Sequence, residues 1–184
     1  MPDDNITRML LDARQGDEGA QERLFAGVYD QLRRLARAQL RRQPGSSMVT
    51  TALVHEAFVK LVDGKRVEAS DRVHFFALSA HAMRQVLVDA YRRRAAAKRG
   101  GAESHLPLEE GLIQAPARGE EILALDEALE GLAEVDPRLV RVVECKFFGG
   151  MEHEEIGEAL GVSRRTVRRD WLKAKGLLSR ALEA

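Results

Sequence analysis

The 184-residue sequence has few of the residues that cross-link a chain, interrupt helices or span a membrane. Its single cysteine, Cys145, cannot form an internal disulfide, which is typical of a protein in a reducing cytoplasm. It has only five prolines and long periodic stretches, which predict an all-α protein. No run of about 18 apolar residues occurs, so we expect no membrane span. The N-terminal segment is acidic and lacks the apolar core of a secretion signal.

The sequence also lacks an overall excess of charge of one sign, since 29 basic residues balance 29 acidic ones. The balance conceals a division along the chain. Residues 1–99 carry a net charge of +6, residues 100–145 a net −8 and residues 146–184 a net +2. Two basic blocks on either side of an acidic one predict two separate contacts with anionic partners.

Motifs for catalysis or metal binding are missing as well. The His-Glu pairs at residues 55–56 and 153–154 begin like the zinc-protease motif HExxH, but Val59 and Gly157 stand where the second histidine is needed. No glycine-rich phosphate loop occurs, and Cys145 lies beside the apolar positions of a predicted helix, as a core residue would. We therefore expect neither an enzyme nor a cofactor or metal site.

The clearest pattern that is present covers residues 151–182 and predicts two helices joined by a tight turn. Gly161 can take the positive φ that ends the first helix, and the Ser163 hydroxyl can cap the second. The second helix carries apolar residues on one face and arginines on the other, as does a helix-turn-helix that enters the DNA major groove. A plain helical hairpin with a solvated basic face is the alternative. The apolar face holds Val167, Trp171, Ala174 and Leu178, and the basic face holds Arg164, Arg165, Arg168 and Arg169.

Helical periodicity places two helical regions on either side of a linker at residues 100–119, which is rich in glycine and proline. Thr50 or Thr51 can cap one helix before the linker, and Asp136 with Pro137 at the first helical position begins another helix after it. The expected helices lie within residues 4–43, with a break at Gly16, and at about residues 51–64, 73–99, 120–133 and 136–148.

In this order the segments resemble the extracytoplasmic-function (ECF) type of bacterial sigma factor, the small promoter-recognition subunits of RNA polymerase. The resemblance covers about residues 5–182, and its strongest parts are LVHEAF at residues 53–58, the helix at residues 75–94 and residues 155–175. It implies three parts. Residues 1–99 would be a sigma-2-like domain that docks on the clamp helices of the largest polymerase subunit and melts the −10 element. Residues 100–119 would be the linker, and residues 120–184 a sigma-4-like domain that recognises the −35 element and meets the polymerase flap.

The resemblance also implies roles for particular residues, with the loop at residues 63–74 as the base-capturing loop. Phe75 and Phe76 either stack on bases or pack in the core. The −35 set is Ser163, Arg164, Arg165, Thr166, Arg168, Arg169 and Lys173. The −10 set is Lys65, Arg66, Arg72, His74, Arg84, Arg92, Arg93 and Arg94. The core polymerase set is Thr51, Leu53, Val54, Glu56 and Phe58.

One segment departs from the family's pattern. Several acidic residues commonly precede the Leu-Val-x-Glu of this family, whereas residues 49–52 here are VTTA, without a carboxylate. Phosphorylation of Thr51, or of Thr50, by a Ser/Thr kinase would restore negative charge at a helix N-terminus, where it is favourable. The sequence is similar to a subgroup of sigma factors paired with such kinases. The alternative is that the threonine only caps the helix.

We therefore expect an alternative sigma factor, monomeric when free, that binds core RNA polymerase and promoter DNA. A stand-alone helix-turn-helix regulator is the first rival, and it leaves residues 1–99 without a role. A protein-interaction module is the second, and it leaves both arginine clusters unexplained. Whether the two halves of the free chain pack together stays open.

Overall fold

The computed structural model describes residues 2–15, 17, 19–41, 48–62, 69–99 and 116–183. In these residues the secondary structure is helical and contains no strand, which confirms the all-α prediction. None of the helices in this part of the chain is both long enough and apolar enough to cross a bilayer. The helices are α1 Pro2–Gln15, α2 Ala20–Arg41, α3 Thr50–Val62, α4 Arg72–Arg99, α5 Pro116–Val135, α6 Pro137–Val143, a π-helical turn Glu144–Phe148, α7 His153–Leu160 and α8 Arg164–Glu183.

Helix α4 is the element around which the others pack. It contacts α1 and α3 from the first half of the chain, and α5, the π turn and α7 from the second. Its buried side chains include Phe75, Met83 and Leu87, none of which is exposed to solvent. On α2, Leu24 and Val28 are likewise fully buried. A helix that is apolar on several faces can serve as the centre of two packing layers.

Two helices begin earlier than the sequence predicts. Helix α4 begins at Arg72 because Asp71 caps it, with Oδ1 accepting a hydrogen bond from the His74 N–H at 2.8 Å. Helix α5 begins at Pro116, four residues before the expected start at residue 120, and proline is well suited to a first helical turn because its missing N–H would have no intrahelical partner. The rest of the predicted linker, residues 100–115, lies outside the described residues.

The start of α3 corrects the prediction that Thr50 or Thr51 caps it. Thr50 is the first helical residue, and the Val49 carbonyl accepts the first helical bond, from Leu53 N–H, at 3.1 Å. Val49 therefore holds the cap position, and its side chain has no oxygen to accept a hydrogen bond. Both threonines lie inside the first turn, which carries no acidic residue.

The π turn is a feature that periodicity did not predict. The expected helix at residues 136–148 begins as predicted, with the Asp136 side chain accepting from Arg138 N–H at 2.9 Å. At Glu144 its hydrogen bonding widens, and the Gly149 N–H donates to the Glu144 carbonyl at 2.9 Å. A Cβ at Gly149 would lie 2.6 Å from the Cys145 carbonyl oxygen, so glycine permits this close approach. Phe148 is buried in the core, and Phe147 is partly buried beside it.

The two halves of the chain pack together, a point that the sequence left open. Leu129 and Leu139 of the second half belong to the same buried cluster as Leu53 and Phe75 of the first. A smaller cluster supports the helix-turn-helix, with Val142, Cys145, Met151, Ile156 and Val167 as its buried members. The position of α7 and α8 relative to α4 is therefore set by direct packing.

Candidate nucleic-acid interface

Helices α7 and α8 form the predicted helix-turn-helix. Gly161 ends α7 with φ +65°, in the left-handed region that favours glycine. The Ser163 hydroxyl accepts a hydrogen bond from Thr166 N–H at 3.2 Å and caps α8. Both turn predictions are confirmed.

Gly157 lies within α7, beneath the turn that follows, and the sequence did not reveal its role. Its carbonyl accepts the Val162 N–H at 2.9 Å, so the chain folds back directly over it. A Cβ at Gly157 would lie 2.7 Å from the Val162 carbonyl oxygen and 3.5 Å from the Arg164 nitrogen. A glycine five residues before Val162 was the available signal, but only the three-dimensional turn shows that the space is closed.

Helix α8 buries its apolar face and exposes its basic one. Val167 and Ala174 are fully buried, and Leu178 is 8% exposed. The four predicted arginines, Arg164, Arg165, Arg168 and Arg169, are all exposed, as is Lys173. The Arg164–Glu154 ion pair at 2.9 Å joins two solvent-exposed side chains, a kind of pair that contributes little to stability. The basic face is thus available to an anionic partner.

Asp170 is a buried carboxylate on α8 that sequence reasoning missed. Its side chain is 4% exposed, and Oδ2 accepts a hydrogen bond from Arg138 Nε of α6 at 2.8 Å. This bond raises the pKa of Arg138. The signal was present in the sequence, since residue 170 falls three positions after Val167 and four before Ala174, on the apolar stripe. The pair holds α8 against α6 in one orientation.

The predicted −10 set is distributed around α4, and Lys65 and Arg66 lie outside the described residues. Arg72 and His74 lie in the first turn of α4, with the Arg72 guanidinium 5.2 Å from the centre of the Phe76 ring. Phe75 is fully buried and Phe76 is 7% exposed, in an edge-to-face pair. In this conformation both rings pack in the core, as the second of the two roles predicted for them requires.

Arg84 and Arg92, also predicted to contact the −10 region, bind acidic residues of the second half of the chain. Arg84 donates to Asp126 Oδ1 at 2.5 Å and to Glu144 Oε1 at 2.7 Å, and Arg92 donates to Asp126 Oδ2 at 2.9 Å. His81 Nδ1 lies 2.8 Å from Glu144 Oε1. We call this group the ion cluster: His81, Arg84, Arg92, Asp126 and Glu144.

In the ion cluster, the positive charges of the first half of the chain lie against the negative charges of the second half. Burial acts to raise the pKa of Glu144, but the hydrogen bonds and charges of His81 and Arg84 outweigh it and hold the pKa below its usual value. The Arg84 side chain is 10% exposed and Asp126 is 7% exposed, whereas Arg92 is 54% exposed. Of these two arginines, Arg84 is therefore the more completely buried. Of the remaining arginines, Arg93 Nη2 lies 3.8 Å from Glu56 Oε2, and Arg94 is partly buried.

The core polymerase set divides into buried and exposed members. Leu53 and Val54 are fully buried and Phe58 is 8% exposed, so in this conformation they support the surface of α3 rather than form it. Thr51 and Glu56 are exposed. Part of the LVHEAF pattern therefore reflects packing against the rest of the first half.

The described residues contain no group of three or more histidine, cysteine or acidic side chains placed to hold a metal ion. Burial raises the pKa of the Cys145 thiol to about 12, which leaves it protonated and poorly nucleophilic near neutral pH.

Comparison with known protein families gives a match over residues 3–184 to the model described as ECF sigma factor. A search of curated proteins finds no match.

Proposed function

The chain belongs to the ECF sigma factor family, and from this premise we propose how its two halves share the work of starting transcription. Membership implies an alternative sigma factor that binds core RNA polymerase and promoter DNA and directs transcription initiation. The family match over nearly the whole chain is the observation that carries this conclusion. The helix-turn-helix with its exposed arginine face is consistent with it, since such a helix suits the DNA major groove.

The second half, from residue 120 to residue 184, recognises the −35 element through the start of α8. Arginine side chains there can bind guanine through two hydrogen bonds, or phosphate oxygens through charge. The exposed side chains of Arg165 and Arg168 support this assignment. Arg164 and Arg169 share the basic face, and the capping pair Ser163 and Thr166 lies at the end that meets DNA. Lys173 lies farther along α8, where a phosphate contact is the simpler role.

The first half, residues 1–99, docks on the clamp helices of the polymerase and opens the −10 element. The cations at the start and along the length of α4 would hold the DNA strands, and the loop at residues 63–74 would receive a flipped base. Flipping a base costs a few kcal/mol, so cations near the separated strands help to offset that cost. Residues 100–119 then connect the two promoter contacts.

Arg168 provides the test of promoter recognition by α8. In run-off transcription with core polymerase, Arg168→Ala is expected to reduce initiation at a −35-dependent promoter about 5- to 150-fold, the equivalent of about 1–3 kcal/mol. Arg180→Ala, at the opposite end of α8, is the matched control and should leave initiation unchanged. Equal activity of the two variants would contradict the assignment, and tight specific binding of the chain to DNA without polymerase would favour the stand-alone regulator.

We also propose that a Ser/Thr kinase activates the chain by phosphorylating Thr51. Helix α3 begins with an apolar cap residue and has no acid in its first turn, so its positive dipole end is not compensated by charge. The Thr51 side chain is exposed, whereas that of Thr50 is half-buried. A phosphate would add about −1.5 to −2 charges at the position where acidic residues are otherwise found in this family.

The phosphorylation test compares two neighbouring threonines. Thr51→Ala should abolish transcription from the target promoter in cells while the circular dichroism spectrum stays helical. Thr51→Glu should restore part of the activity with purified core polymerase. Thr50→Ala, one residue away, is the control and should remain active. If Thr51→Ala supports transcription as well as the unaltered chain, phosphorylation of this residue is not the switch.

A further inference from the structure

The ion cluster joins the two halves of the chain through residues that the proposed function assigns to DNA. Arg84 and Arg92 project from α4, and the carboxylates that receive their hydrogen bonds come from α5 and the π turn. Asp126 uses one oxygen for each arginine. Hydrogen bonds from a guanidinium to a carboxylate have the same geometry and charge pattern as those to a phosphate. Asp126 and Glu144 thus occupy the place that phosphate groups would take.

The π turn gives the same interface a second, uncharged contact. Gln39 of α2 is 1% exposed, and its Nε2 donates to the carbonyl of Phe147 at 3.0 Å and to that of Phe148. The last carbonyls of a helix lack intrahelical donors, so Gln39 supplies a donor at this helix end. The wide π turn therefore presents the Glu144 carboxylate to α4 and a pair of backbone carbonyls to α2.

The contact between the halves is not a closed, dry core. A cavity of about 670 Å³ lies between α4, α5, α6, the π turn and α7, and Arg84 and Glu144 line it beside Leu78 and Leu129. Buried ion clusters fix one arrangement more than they add stability, because removing charges from water opposes the attraction between them. Contacts between two parts of a chain permit relative motion unless they are large and wholly hydrophobic, and this one combines shared apolar residues with buried charges and an open cavity.

We propose that the ion cluster is an autoinhibitory contact, in which Asp126 and Glu144 mask Arg84 and Arg92 in the free chain. The inference rests on the proposed function, which places these arginines at the −10 region. When the halves separate on the polymerase, DNA phosphates replace the two carboxylates. The closed free chain then has little affinity for DNA, and promoter opening is restricted to the polymerase complex.

The test removes the acidic partners and leaves the arginines in place. Glu144→Gln and Asp126→Asn keep the size of each side chain and remove its charge. Gln39→Leu weakens the same interface without changing any charge. Glu127→Gln is the matched control, because it makes the same change in net charge at an exposed position of α5.

Small-angle X-ray scattering of the free chains measures the closure. A compact chain of this length has a radius of gyration of about 16 Å. The unaltered chain and Glu127→Gln should lie near that value, whereas Glu144→Gln, Asp126→Asn and Gln39→Leu should give a larger one. An expanded unaltered chain would overturn the proposal directly, since there would be no closed state to release.

Binding of the free chains to a fluorescent single-stranded DNA measures the masking. Two arginines released to phosphates steepen the dependence of log affinity on log salt by about 1.4 for single-stranded DNA, which is roughly a sevenfold larger loss of affinity between about 50 and 200 mM salt. The variants at Glu144 and Asp126 should show this steeper dependence, and Glu127→Gln should not. Gln39→Leu should show it as well, although its net charge is unchanged.

If the variants at Glu144, Asp126 and Gln39 expand but bind DNA no more tightly than Glu127→Gln does, the ion cluster does not mask the arginines and the proposal is wrong. Circular dichroism identifies any variant that unfolds, and the remaining variants then decide the outcome, since each acts on the same interface. Run-off transcription is measured separately. If neither the unaltered chain nor Thr51→Glu supports transcription with core polymerase, the proposed function fails, whereas scattering and DNA binding still decide whether the cluster closes the chain.

Discussion

Replacement of glycine by alanine is predicted to change the stability of the chain in opposite directions at Gly157 in α7 and Gly176 in α8. At Gly157, alanine would place a Cβ 2.7 Å from the Val162 carbonyl oxygen, a backbone atom that cannot move aside as a flexible side chain can. Overpacking of this kind costs about 1–3 kcal/mol. The 2.9 Å bond from Val162 N–H to the Gly157 carbonyl crosses the same gap, and its weakening adds about 1 kcal/mol. The higher helix propensity of alanine returns about 1 kcal/mol.

The net expectation is that Gly157→Ala lowers the free energy of unfolding by about 2 kcal/mol, from the difference of these contributions. For a chain of this size, 1 kcal/mol shifts the midpoint of thermal unfolding by about 2–4 °C, so the midpoint should fall by about 4–8 °C. Gly176, in the middle of α8, is the matched control because a Cβ there has no neighbouring atom within 4 Å. Gly176→Ala should raise the midpoint by about 2–4 °C, since only the propensity gain applies.

Thermal unfolding followed by circular dichroism measures both variants under identical conditions. Run-off transcription adds a functional reading, since forcing α7 away from the turn would change the angle of α8 in the −35 contact that we propose. The reasoning is refuted if Gly157→Ala unfolds at or above the temperature of the unaltered chain. A fall in both midpoints would instead show that the propensity argument fails in α8.

Two further predictions follow from buried carboxylates. Asp170→Asn should lower the free energy of unfolding by about 1–2 kcal/mol in denaturant titration, because it removes a charge-assisted hydrogen bond to Arg138. The loss is limited because the Arg138 side chain can still reach water. An unchanged free energy of unfolding would mean that this ion pair does not hold α8 against α6. The lowered pKa of Glu144 means that its contribution to stability is present above about pH 4.5 and is lost as the pH falls through the lowered value. The difference in unfolding midpoint between the unaltered chain and Glu144→Gln should therefore shrink as the pH falls below about 4.5, and a constant difference would contradict the pairing with His81 and Arg84.

The features of the fold that were predictable from sequence are those set within one or two turns of chain. The glycine at residue 161 and the cap at Ser163 lie next to the helix ends that they shape, so the pattern was sufficient. The threonine cap of α3 was predicted by the same logic and was wrong by a single position, since Val49 holds the cap. Helix ends are the least certain part of such predictions because neighbouring residues compete for the same position.

The residues of the candidate site were partly predictable, for a related reason. Basic side chains on α8 stand on the face opposite an apolar stripe, so their exposure follows from the period of the helix. Arg84 lies on a helix that is buried on several faces. Its partners are side chains 42 and 60 positions away along the chain. Nothing local distinguishes it from an exposed arginine.

The sequence by itself determined the helical class, the two basic ends, the helix-turn-helix and the resemblance to a sigma factor, because charge, periodicity and turn residues act over short distances along the chain. Only the tertiary structure decided that the halves close on each other, that Gly157 has no room for a Cβ, and that Arg84 meets Asp126 and Glu144. These features depend on which surfaces meet across tens of residues, and burial then determines whether a charge is hydrated or bound to an opposite charge.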